Sequence, residues 1–108
     1  MPLYMIRFSY TPETWARLVK NPEDRREAVG KMASEAGGTV HGFWYAFGDR
    51  DGYVLFEGPD NASAAAVSIA TAASGALRAV ETTVLISPEE MVQALGNAAS
   101  LGYRPPGA

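Results

Sequence analysis

The chain has 108 residues, no cysteine, one histidine and a formal net charge of −3. That length suits one domain, and a hydrophobic fraction of 47% supplies enough apolar side chains for a core. The missing cysteines exclude a disulfide scaffold, a thiolate zinc site, a cysteine nucleophile and an iron–sulfur cluster. A multi-histidine metal site within one chain is excluded as well. Mild acidity without a basic run argues against a nucleic acid or an anionic membrane as partner. The opening Met1-Pro2-Leu3-Tyr4-Met5-Ile6-Arg7 lacks the pattern of a secretory signal. No apolar run approaches the ~18 residues of a membrane span. The expectation is a soluble, cytoplasmic protein with no metal and no cofactor.

Leu3 to Tyr10 alternates as a strand, with Tyr4, Ile6, Phe8 and Tyr10 on one side and Leu3, Met5, Arg7 and Ser9 on the other. Thr11-Pro12-Glu13 reads as an N-cap followed by proline in the first turn, which starts a short helix containing Trp15, Leu18 and Val19. Asn21-Pro22-Glu23-Asp24 repeats that signal and predicts a longer helix to about Ala36. Its apolar stripe is Ala28, Val29, Met32, Ala33 and Ala36, and Gly37-Gly38 ends it. Thr39 to Phe47 and Tyr53 to Glu57 read as a hairpin around the turn Gly48-Asp49-Arg50-Asp51-Gly52. Asp60 caps an alanine-rich helix to about Ser74. Val80 to Ile86 is a fourth strand. Ser87-Pro88-Glu89-Glu90 carries a capping box that opens a last helix with Met91, Val92 and Leu95. Residues 1–98 form the predicted domain and 99–108 a tail.

The order βαββαβ, with a C-terminal extra helix, gives a ferredoxin-like α+β fold: a four-stranded antiparallel sheet with helices on one face. Strict alternation places Ile6, Phe8, Val40, Trp44, Val54, Phe56, Val80, Val84 and Ile86 under the helices. The open face then holds Met5, Arg7, Ser9, His41, Phe43, Tyr45, Phe47, Tyr53, Leu55, Glu57, Glu81, Thr83 and Leu85. So apolar a face marks an interface or a ligand site. Two readings stand side by side: a plain homodimer interface, or an interface enclosing a pocket lined by Arg7, His41, Tyr45, Tyr53 and Glu57.

His41 is either a hydrogen-bonded interface residue or, with Tyr45, a candidate for acid–base work near neutral pH. Arg7 and Glu57, on neighbouring strands, are either a structural ion pair or a fork for a ligand's carboxylate or phenol. Glu81 is a further possible member. No phosphate-loop, dinucleotide or nucleophile-elbow motif is present.

With these elements placed, the chain resembles the GYD family. The resemblance is carried by Met1-Pro2-Leu3-Tyr4, by Gly37-Gly38-Thr39-Val40-His41-Gly42-Phe43-Trp44, by Gly48 to Asp60 with its Glu57-Gly58-Pro59-Asp60 stretch, and by Glu81-Thr82-Thr83-Val84-Leu85. Arg50 stands where the family's namesake pattern has tyrosine. The resemblance implies a dimeric α+β barrel, in which two sheets pair face to face. It also brings in alternatives to ligand binding: a cofactor-free or haem-dependent monooxygenase, with haem as the alternative cofactor and His41 as its ligand, or a structural assembly subunit without ligand.

Overall fold

A computed structural model describes all 108 residues. The elements run β1 (Leu3–Tyr10), α1 (Pro12–Lys20), α2 (Arg26–Glu35), β2 (Thr39–Tyr45), β3 (Gly52–Glu57), α3 (Asn61–Ala73), β4 (Leu77–Leu85) and α4 (Pro88–Ala99). The four strands form one sheet in the order β2-β3-β1-β4, and every neighbouring pair is antiparallel. This is the ferredoxin-like α+β arrangement that the element order predicts.

The helix starts follow the local chemistry. Thr11 accepts from the Thr14 amide ahead of α1, Asp60 from Ser63 ahead of α3, and Ser87 and Glu90 complete the capping box of α4. α2 starts later than Asn21-Pro22-Glu23-Asp24 predicts. Arg25 sits at its N-cap with no side-chain cap. The Asp24 carboxylate instead accepts from the Arg26 amide at 3.0 Å and from its guanidinium, bonds that lower its pKa to about 2.

The core lies between the sheet and helices α1 to α3. Tyr4, Ile6, Phe8 and Tyr10 of β1, Val54 and Phe56 of β3, Ala33 of α2, and Ala64 and Val67 of α3 are buried there. β3 and β1 up to Phe8 hold the predicted alternation, Ser9 is buried as well, and β2 departs from it. Its pairing with β3 slips between Val40 and Gly42, which leaves His41 as the extra residue of a β-bulge. After the bulge every side chain changes face. Phe43 packs against the core, Trp44 lies opposite Tyr53 on the open face, and Tyr45 meets Tyr10 on the helix side. The face assignment of Phe43, Trp44 and Tyr45 by strict alternation is therefore reversed. Gly42 follows the bulge, and the Trp44 ring folds across it where a Cβ would otherwise sit.

α4 stands apart. It buries no residue and leaves Met91, Val92 and Leu95 exposed. The radius of gyration is 17.5 Å, against roughly 13 Å for a compact domain of this length, so the helix and the segment after it project from the body.

Candidate functional site

The two sheet faces carry two different clusters. On the open face, the β1 register puts Arg7 between Tyr53 of β3 and Glu81 of β4, and Leu3 between Glu57 and Leu85. Arg7 donates from Nη2 to a Glu81 oxygen at 2.7 Å. Arg50 reaches from the β2–β3 turn to the other Glu81 oxygen. Two guanidinium groups thus share one carboxylate. Glu57 lies four residues along β3 from Tyr53, about 13 Å at strand rise, and the Arg7–Glu57 pair does not form. Glu57 instead accepts from His41 Nε2 at 2.6 Å, while the Met1 ammonium lies 4.0 Å from its other oxygen.

Among the five residues singled out from sequence, Arg7, His41, Tyr53 and Glu57 share the open face as two separate groups. Tyr45 is on the other side. The sequence reading missed Arg50, which a turn of Gly and Asp made look solvated. Its signal was a cation in place of the family's tyrosine. Arg7 Nε, Arg50 Nε and the Ser9 hydroxyl are buried there without a hydrogen-bond partner. Each such group costs about 1–3 kcal/mol, whereas a half-exposed ion pair returns about 0–1 kcal/mol. The network fixes side-chain positions more than it adds stability.

On the helix side, the sheet order decides the architecture. α2 packs on β2 and α3 on β4, the two edge strands, which are three strand spacings or roughly 14 Å apart. Helices in contact are about 8–10 Å apart. The space left over β3 and β1 is a cavity of about 280 Å³. Ile6, Phe8, Val54 and Phe56 form its floor, Val29, Met32 and Ala33 one wall, and Val67, Ala70 and Leu77 the other. α3 contributes Val67, Ala70 and Thr71 to the lining, none of them long enough to reach across to α2.

A polar cluster adjoins the cavity at Tyr10. This residue lines the cavity, and its hydroxyl meets that of Tyr45 at 3.1 Å. Trp15 packs edge-on against Tyr10, with ring centroids 5.0 Å apart, and both the Trp15 indole and the Tyr10 amide donate to Asp51 Oδ2. Burial, together with the Tyr45 hydrogen bond, raises the Tyr10 pKa above the ordinary tyrosine value, against a lowering influence from nearby Arg25. The phenol stays neutral and able to donate. No helix of the structure is long and apolar enough to cross a membrane.

The sheet order and the helix-covered core define a ferredoxin-like α+β protein, and solved structures share that fold. The C-terminal domain of the MgtC protein from Mycobacterium tuberculosis is 14% identical, with a TM-score of 0.55 over 79% of this chain and 88% of that one. TTHA0845 from Thermus thermophilus is 16% identical, with a TM-score of 0.52 over 81% and 95%. FFRP-DM1 is 14% identical, with a TM-score of 0.50 over 80% and 100%. No curated protein matches the sequence. The GYD domain profile matches residues 4–95, and the chain belongs to the GYD domain family.

Proposed function

We infer that this chain is a self-associating protein that binds a small, mostly apolar organic molecule in the cavity between α2, α3 and the sheet. One observation carries the reading. The gap between α2 and α3 leaves about 280 Å³ over the sheet, just below the roughly 300–1,000 Å³ of ligand pockets. Sixteen of its nineteen lining residues are hydrophobic, so the occupant is apolar over most of its surface. The pocket of this proposal is on the helix side of the sheet, opposite the open face to which the sequence pointed.

Self-association is supported by what the monomer leaves uncovered. Trp44 is 53% exposed beside Tyr53 on the open face. α4 presents Met91, Val92 and Leu95 to nothing in its own chain, and an isolated helix of that length is marginal in water. A second copy covers both surfaces in this proposal.

Titration of the purified protein with 1-octanol, followed by calorimetry, tests the cavity. Saturable binding with one site per chain is expected, and Ala70→Phe, which adds a ring at the wall, abolishes it. Binding that survives this substitution unchanged places the ligand elsewhere and overturns the proposal.

A further inference from the structure

The reading of the cavity as a ligand site leaves open which polar group the ligand carries, and the cavity's own donors decide it. Three lining residues are not hydrophobic: Arg25, Thr71 and Ser74. Thr71 spends its hydroxyl on the Val67 and Ser68 carbonyls, and Ser74 donates to the Thr71 carbonyl. Both serve their own helix. Arg25 uses one guanidinium nitrogen on Glu23, at 3.2 Å and near the surface, which leaves most of its five donors free.

Tyr10 adds a fourth polar group. Between the Tyr10 and Tyr45 hydroxyls one proton is used in the shared hydrogen bond. Tyr10 is the one that lines the cavity. When Tyr45 donates, the Tyr10 proton is free for a ligand. Burial, the largest cause of its raised pKa and independent of which hydroxyl donates, keeps that proton in place. The free polar atoms of the lining are therefore a cation and a neutral O–H donor, a set complementary to an anionic acceptor. The nearby carboxylate, Asp51, is held by the Tyr10 amide and the Trp15 indole.

We propose that the ligand is a small apolar monocarboxylic acid, aliphatic or aromatic, whose carboxylate is held by the Arg25 guanidinium and the Tyr10 hydroxyl while its apolar body lies over Phe8 and Val54. This rests on the cavity reading above and adds to it the head group and its two anchors. The body is short, because the cavity is small.

The test compares octanoate, 1-octanol and octylammonium by calorimetry at neutral pH, on the wild-type chain and on Arg25→Gln and Tyr10→Phe. Arg25 makes no side-chain cap for α2, so its replacement leaves the fold intact, as circular dichroism checks. Octanoate is expected to bind roughly tenfold or more tighter than octanol, and octylammonium weakest. Arg25→Gln removes the preference for octanoate by weakening octanoate far more than octanol; Tyr10→Phe weakens octanoate less. Equal binding of octanoate and octanol to the wild type, or octanoate binding that Arg25→Gln does not touch, overturns the carboxylate anchor while the cavity stands. Binding of none of the three overturns the cavity reading itself.

Discussion

Arg7 and Glu81, 74 residues apart in sequence, stand opposite each other on β1 and β4 and close a hydrogen-bonded ion pair of 2.7 Å. Arg50 takes the second oxygen of the same carboxylate. Glu81 is thus the hub that keeps two guanidinium groups on one sheet face. Glu81→Gln leaves those like charges facing each other with no anion between them. Arg7 and Glu81 are more than a third exposed, so solvent screens the effect. A loss of about 1 kcal/mol, or roughly 4 °C in Tm, is expected, shrinking at high salt. Arg50→Ala made in the Glu81→Gln background should recover part of it. Thermal melts of the two variants at low and high salt check both statements.

Two glycines in the β2 region separate a rigid from a yielding contact. A Cβ at Gly38 would collide with the Glu57 carbonyl oxygen and the buried Phe56 ring, neither of which can move. At Gly42 it would meet the outer edge of Trp44, which is half exposed and free to swing away. Gly38→Ala should therefore cost about 3 kcal/mol, the upper end for overpacking, and Gly42→Ala less than about 1 kcal/mol. Chemical denaturation measures both. The second variant should also shift the tryptophan emission, since Trp44 loses its seat.

Sheet-face association predicts that Leu55→Arg, opposite Met5 at the middle of the open face, yields a monomer in sedimentation experiments where the wild type is a dimer or larger. If α4 is ordered by a partner, the monomeric variant should also lose helical signal for about 12 of its residues. A wild-type chain that sediments as a monomer at high concentration contradicts the proposed self-association.

Asp60 supplies the acid-side pH dependence of α3. The Ser63 amide that it caps lowers its pKa below the ordinary value of 3.8. A depressed carboxylate stabilises the fold fully above its unfolded pKa, and that contribution is lost as pH falls through the lower folded value. Stability should therefore decline below about pH 4. Asp60→Asn keeps a capping oxygen and should flatten its share of that decline, as urea midpoints at pH 3 and pH 6 would show.

Much of this protein follows from its sequence because the determinants are local. Thr11, Asp60 and Ser87 start helices with their own side chains. β3, and β1 as far as Phe8, alternate strictly, because each strand buries one face against α1 to α3, and the element order leaves one economical way to arrange four antiparallel strands. The cluster around Tyr10, Tyr45 and Trp15 was not legible, because a single bulged residue, His41, turns Tyr45 from one face to the other and nothing in the local composition marks it. Arg50 looked like a turn residue, because its partner Glu81 is 31 positions away and two strands across the sheet. The cavity was hidden for the same reason. Which helices carry small side chains can be read along the chain. That α2 and α3 settle on opposite edge strands, too far apart to touch, emerges only once the sheet is assembled.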